Sequence, residues 1–483
     1  MFLKPPRRLF QLYGGSLIMA KYEYVQRGKL EEELAEEEPL VIEDEATKLL
    51  DSWEMGGSIW TRPAIYGDLV IFGSNDGFLY ALDKNSGLEK WKFLTGGIVV
   101  SSPVVSDGVV YFGSFDKKFY ALDARTGEKL WEFLTGGRIP GTAAVVDGRV
   151  YFGSEDGKLY CLTPDGRKEW EFRTGGLVMG TPTVLNGRIY VGSCDKHFYC
   201  IESGRKVWSF LTGGWVGDCT IADVRTGEMV AGYRVEQKGS SGYAGRNEDL
   251  RVCFGSYDQY FYCLDINGKE LWKFQADAAC GVMRAHPVKD QTIYFGAYQF
   301  FAVDLRNGSE RWKFRADDRI GSFSALYHKS ALFVGSYDGN IYALDAETGS
   351  KLFVFRTGGA TFSPPIVDSN MLYFGSSDTY MYALDMNSGK TVWTFKTGMP
   401  PTQITWRGWL RGLNPVKRLL HWWKPELPKN RAYDKEERKV EWAAGMPSAY
   451  KTRDAYVMKD SQYAMGGQAY QAAKKKDDWR ERR

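Results

Sequence analysis

Two aspartates recur along the 483-residue chain at intervals of about forty residues, a spacing that could place carboxylates for acid–base work or cation binding. The first follows a Phe-Gly-Ser type triplet as Asp76, Asp116, Asp156, Asp195, Asp258, Asp338 and Asp378, with Gln299 in its place once. The second closes a Tyr-Ala-Leu-Asp motif at Asp83, Asp123, Asp265, Asp304, Asp345 and Asp385. A catalytic or metal-binding carboxylate is needed once, whereas these appear in nearly every copy beside glycine. That pattern fits Asx turns, in which the carboxylate accepts the chain's own amides. The seven cysteines are Cys161, Cys194, Cys200, Cys219, Cys253, Cys263 and Cys280, and their spacing matches no zinc motif. Cys161, Cys200 and Cys263 occupy the alanine slot of the Tyr-Ala-Leu-Asp motif and read as small buried hydrophobes. Their odd number and irregular spread suggest free thiols in a reducing compartment rather than a disulfide scaffold, with Cys219 and Cys253 the one pair on strands expected to be neighbours. The four histidines, His197, His286, His328 and His421, form no local constellation, so no metal is expected.

The elements that position these residues are copies of one module. The glycine of the triplet falls at residues 73, 113, 153, 192, 255, 296, 335 and 375, in steps of 40, 40, 39, 63, 41, 39 and 40. Fixed self-similarity of this period marks a repeat architecture. Within one copy, residues 98–105, 109–112, 117–122 and 130–134 are rich in β-branched and aromatic side chains and are separated by glycine and aspartate. These are four short strands joined by hairpins. Such a module buries little alone and must stack on neighbours; a radial arrangement stacks it while leaving only short edges. The expectation is an all-β, eight-bladed β-propeller over residues 51–400, with blades near 58–97, 98–137, 138–176, 177–214, 215–277, 278–317, 318–359 and 360–398.

The tryptophans Trp91, Trp131, Trp170, Trp208, Trp272, Trp312 and Trp393 recur once per blade, with Phe353 in the seventh copy. Large rings at a fixed register fill the gap between sheets, each indole N–H needing one acceptor. Residues that differ between copies are the candidates for specificity. The first strand after each double glycine should line the channel, which nominates Trp60, Arg62, Arg138, Trp215, Asp218, Cys219, Arg319 and Phe362 as a ligand face.

Three stretches lie outside the module. Residues 1–50 form an N-terminal tail with nine acids between 31 and 45, which favours a solvated segment. Its first 20 residues are basic and then mildly apolar; they read as a cytoplasmic tail, with a weak export signal as the alternative and Met19 as a second possible start. Residues 223–250 are an insertion in blade five, about 23 residues beyond the norm, where Tyr233 and Arg234 are candidate partner contacts. Residues 401–483 carry 19 Lys or Arg against 10 Asp or Glu, and Trp406, Trp409, Trp422 and Trp423 stand among basic residues. This extension can wrap the propeller, dock into a protein, or touch an anionic membrane or nucleic acid; its interspersed acids weaken the last. The net charge of +3 makes no global case for nucleic acid.

The block Tyr-Ala-Leu-Asp-Ala-Arg-Thr-Gly-Glu-Lys-Leu-Trp-Glu-Phe at 120–133, preceded by Val-Tyr-Phe-Gly-Ser and followed by a double glycine, resembles the repeat of the PQQ-like β-propeller family. That resemblance covers about 51–398 and implies the fold. The family includes quinoprotein dehydrogenases, outer-membrane assembly lipoproteins and sensor domains. Its enzymatic members would imply a vicinal cysteine pair, a calcium-binding Glu/Asn/Asp set and a tryptophan under the quinone. This chain has no Cys-Cys dipeptide and no recognisable calcium set, so neither PQQ nor calcium is expected; the lipoproteins' anchoring cysteine is missing too. The leading expectation is a non-catalytic scaffold or accessory subunit of a protein complex. A quinoprotein-like oxidoreductase with a ligand in the channel, and a small-ligand sensor, are the alternatives.

Overall fold

The structure is a computed structural model, and it describes residues 57–232, 243, 245–280, 286–320, 325–386 and 388–398, together with the backbone of 441–442. Everything described falls within the second of the chain's two units, Gly56–Arg483. Eight antiparallel sheets follow one another in chain order, over residues 64–94, 104–134, 144–173, 183–211, 216–275, 288–314, 326–356 and 366–396. Blade two shows the plan with strands Val104–Ser106, Val109–Gly113, Lys118–Asp123 and Lys129–Leu134. Its middle strands are buried along almost their whole length, whereas the fourth alternates between exposed and half-buried positions. Two strands covered on both faces and one outer strand with a wet face are what stacked sheets require.

Successive sheets meet through aromatic side chains. Phe119 stacks on Phe152 at 4.0 Å, Phe198 on Phe254 at 4.1 Å and Phe261 on Phe295 at 4.0 Å. At the outer edge each tryptophan lies on a glycine of the next blade. A Cβ added at Gly166 would sit 2.7 Å from the Trp131 ring, and the same holds for Gly127 against Trp91 and Gly87 against Trp393. These glycines have positive φ, +85° at Gly166, so glycine serves both the turn and the close approach. The indole N–H then donates across the seam: Trp131 to the Pro164 carbonyl at 2.8 Å, Trp272 to that of Leu305 at 3.0 Å.

The ring closes between blades eight and one. Trp393 Nε1 donates to the Lys84 carbonyl at 2.9 Å, and Ile59, Phe72 and Tyr80 share a buried cluster with Tyr373, Met381 and Trp393. In other blades a threonine hydroxyl donates to the second glycine's carbonyl, as Thr135 does to Gly137. In the last blade Thr397 donates instead to Gly57, at 2.5 Å. The start of the described chain thus supplies the glycine that a ninth repeat would have provided. Strand Thr391–Lys396 holds the outer position of blade eight.

Two expectations need correction. The first strand of blade two is Val104–Ser106, not 98–105, and the segment after each double glycine is mostly extended linker. Serine there bonds between blades instead of building a ladder; Ser101 Oγ of blade two, for example, donates to the Gly141 carbonyl of blade three at 2.8 Å. The blade-five insertion is not all loop. Glu228–Ala231 adds a fifth strand beside Val216–Asp223, and Asn247–Asp249 forms a 3-10 turn before Leu250–Ser256. Tyr233, Arg234 and the tryptophans at 406, 409, 422 and 423 lie outside the described residues, as do residues 1–50.

Candidate functional face

The repeated aspartate does more than close its own turn. In blade three Asp156 accepts from the Lys158 amide at 3.1 Å, the Tyr160 hydroxyl at 2.7 Å and the Gly136 amide of the preceding double glycine at 2.8 Å. One carboxylate so fixes a turn, a strand and the linker from the blade before. The exception is instructive. Where Gln299 replaces it, the carboxylate has moved to Asp277, in the place of the preceding glycine, and accepts from Gln299 Nε2 at 2.9 Å and from the Tyr298 amide at 3.1 Å. The same bond is made with its charge on the opposite partner. Recurrence with this compensation fixes these aspartates as structural. Asp304 is held well below the usual carboxylate range, first by its bonds from Arg306 and then by Arg311.

Against this uniform frame, one pair of positions changes from blade to blade. The residue after the Phe-Gly-Ser type triplet donates its amide to the carbonyl of the residue after the double glycine, in blade three from Glu155 to Arg138 at 2.9 Å. The same bond joins Asn75 to Ser58, Phe115 to Ile98, Cys194 to Leu177, Tyr257 to Trp215, Tyr337 to Arg319 and Ser377 to Ala360. The backbone holds the two residues side by side, at the end of the blade that carries the turn between strands two and three. Their side chains run from polar to apolar, ion-paired, aromatic, cation–π and small. Arg138 pairs with Glu155 at 2.5 Å and stands 4.9 Å from the Phe115 ring of the neighbouring blade. Trp215 meets Tyr257 at 5.2 Å. Arg319 lies over Tyr337 at 3.9 Å; burial pushes the Tyr337 hydroxyl up, with Arg319 opposing.

These pairs merge across blades. Trp60 meets Phe362 edge-on at 5.6 Å, and Phe362 meets Tyr337 at 4.6 Å, so blades one, eight and seven share an aromatic run ending on the Arg319 guanidinium. Tyr257 and Tyr298, at the same turn position of blades five and six, are both exposed. Aromatic residues and arginine are the types enriched at the anchoring points of protein interfaces.

Of the eight residues nominated from the sequence, Trp60, Arg138, Trp215 and Arg319 contribute to this face, and Phe362 is buried beneath it. Arg62 fixes its neighbour through its amide, which donates to Ser102 Oγ at 2.9 Å. Asp218 and Cys219 are buried as well, at the seam between two blades. Asp218 Oδ1 accepts from the Thr181 amide at 2.6 Å, and the Cys219 thiol faces a hydrophobic cluster that raises its pKa by desolvation. They hold blades four and five together. Phe115, Glu155, Tyr257, Tyr298 and Tyr337 were missed, although their signal was visible: one variable residue inside an otherwise constant turn.

The strands bearing Cys219 and Cys253 are neighbours, but the register sets Cys219 opposite Phe254 and Cys253 opposite Thr220. Cys253 faces Cys263 on its other side. His286 is buried against Phe261, and burial lowers the pKa of His328. Among the described residues no group of three or more His, Cys, Asp or Glu is placed to hold a metal ion.

Eight sheets of this plan, closed by the same repeated contacts, define a PQQ-like eight-bladed propeller. A family model described as outer membrane protein assembly factor BamB matches residues 44–140, 134–216 and 299–408, and the chain belongs to that family. Among solved structures it is similar to BamB from Moraxella catarrhalis, with a TM-score of 0.52 and 18% identity over 67% of this chain and 93% of that one. It is also similar to the computationally designed Ika8 protein, with a TM-score of 0.55 and 17% identity over 68% of this chain and 96% of that one. At such identities both likenesses speak for the fold. No curated protein matches the sequence.

The family match corrects the cytoplasmic placement read from the sequence, since the family is described by an outer-membrane assembly factor. The thiols misled for a physical reason. Six of the seven are buried, and burial alone keeps a cysteine inert whatever the compartment.

Proposed function

We propose that this chain is a non-catalytic interaction scaffold, an accessory subunit that holds protein partners in a larger complex through the variable face of its propeller. The observation that carries the reading is the contrast between constant and variable positions. Triplet, aspartate and glycine are kept blade after blade, while the two residues that the backbone sets side by side on one face differ among the seven blades that make the bond. A frame that holds position while its side chains diversify is suited to recognition. Membership in a family described as an assembly factor supports binding rather than turnover, and the same description supports an exported location.

The test uses the protein's own spare parts. Blade eight carries Ala360 and Ser377 at the paired positions, so Arg319→Ala with Tyr337→Ser copies a pair the fold already accommodates. Trp215→Ala with Tyr257→Ser does the same in blade five. Affinity capture of the full chain from its native source, wild type against the fourfold variant, should show a co-purifying protein lost from a variant that still folds. Retention of all partners would refute the face as the docking surface.

A further inference from the structure

The outer strand of blade seven breaks a rule that the other seven keep. Aligned on the blade tryptophan, the residue before it is exposed in those seven, even when apolar: Leu130 54%, Val207 43%, Leu271 41% and Val392 50%. In blade seven it is Leu352, which is 3% exposed. The residue after the tryptophan is charged or hydroxylic elsewhere, as Lys92 and Glu132 are, but here it is Val354. Phe355 is fully buried where its equivalents are half-buried, and the tryptophan itself is replaced by Phe353. Edge strands present unpaired amides and carbonyls, and charged side chains keep them from pairing with other chains. An edge that is apolar and buried has a cover.

Part of that cover is visible. Glu441–Trp442 pairs antiparallel with Lys351–Arg356 as a fifth strand, with Trp442 opposite Phe353 and Glu441 opposite Val354. The tryptophan missing from position 353 returns at the register position facing it. The features agree on one blade: charge lost from the sequence of its outer strand, and an added strand with the loss of exposure that accompanies it.

We propose that the outer edge of blade seven is a strand-receiving site, and that its ligand is the chain's own C-terminal segment Glu441–Trp442. Recognition is strand addition: main-chain hydrogen bonds supply affinity, and the alternation of apolar and acidic residues sets the register. Because the edge recognises an extended sequence, it takes the same sequence from a separate peptide when the chain's own copy cannot pair.

The experiment keeps the full chain and changes only the tail. Glu441→Pro with Trp442→Pro removes two backbone donors and bars a ladder. Hydrogen exchange of residues 351–356 is compared with that of 391–396, the equivalent strand of blade eight. The expected result is exchange about tenfold or more faster at 351–356 in the variant, with 391–396 unchanged. A synthetic peptide of residues 436–446 should restore the protection, and Val354→Glu in an otherwise native chain, which sets a like charge opposite Glu441, should mimic its loss. Unchanged protection in the proline variant would overturn the assignment of the ligand. Protection of the wild type that fades on dilution would overturn it in another way, by showing that a second copy donates the strand.

Discussion

If tryptophan on glycine is what joins neighbouring blades, two glycines of blade three must respond very differently to the same methyl group. Gly148 and Gly166 both have positive φ, +69° and +85°, so alanine at either costs about 1–2 kcal/mol in backbone conformation. Around Gly148 nothing lies within 4 Å of the added Cβ, and the cost should stop there. At Gly166 the Cβ falls 2.7 Å from Trp131 Cδ2, well inside the ~3.5–4.0 Å of an ordinary carbon contact. The ring must retreat by about 1 Å, which overpacks its surroundings at a cost of about 1–3 kcal/mol. The retreat also stretches the 2.8 Å bond to the Pro164 carbonyl, for about another 1 kcal/mol. Gly166→Ala should therefore destabilise by ~3–6 kcal/mol and Gly148→Ala by ~1–2 kcal/mol, measured by equilibrium denaturation with unchanged m-values. In a Trp131→Ala background the excess at Gly166 should vanish, a coupling of about 2 kcal/mol or more. Equal costs at the two glycines, or additivity with Trp131→Ala, would refute the seam as described.

Two further outcomes follow from the same frame. Asp156→Ala leaves the Tyr160 hydroxyl and the Gly136 amide without their acceptor, and should cost ~2–4 kcal/mol by denaturation, with Asp156→Asn costing less because it keeps one carbonyl oxygen. For the thiols, alkylation of native protein should label Cys194 alone among the seven, since the others are buried. Burial pushes Cys161 and Cys280 up to about 12 and Cys200 up to about 11. Folded pKa values above the unfolded one of ~8.5 give stability that is whole below that pH and is lost as pH rises toward 11–12. Stability should thus decline in alkali, and less steeply in a Cys161→Ala variant; a pH-independent midpoint from 8 to 11 would contradict this.

The fold was legible because its determinants repeat. Eight copies of a strand pattern average out local ambiguity, and the tryptophan and glycine of each copy meet across a seam that depends only on register. First strands were overdrawn because 98–105 has the composition of a strand, while its Ser101, Ser102 and Pro103 bond sideways or not at all. Asp218 and Cys219 looked like channel residues for want of knowledge of which way each side chain turns. The variable pairs were half visible: Arg138, Trp215 and Arg319 stood out after the double glycine, but their partners Glu155, Tyr257 and Tyr337 sit seventeen or more residues away, joined by a backbone bond that no local pattern reveals. The fifth strand of blade seven lay beyond reach for the same reason, since Trp442 and Phe353 are remote in sequence. Compartment was misread because buried thiols report packing, not surroundings.

The central claim is that one face of this ring binds protein. The most direct measurement places a photo-crosslinking phenylalanine analogue at Tyr257 or Tyr298 on that face and, as a control, at the exposed Arg125, in the turn between strands three and four at the opposite end of the blades. Irradiation in the native source should join a discrete protein to positions 257 and 298 and none to 125. Equal labelling from both faces, or from Arg125 alone, would contradict the account.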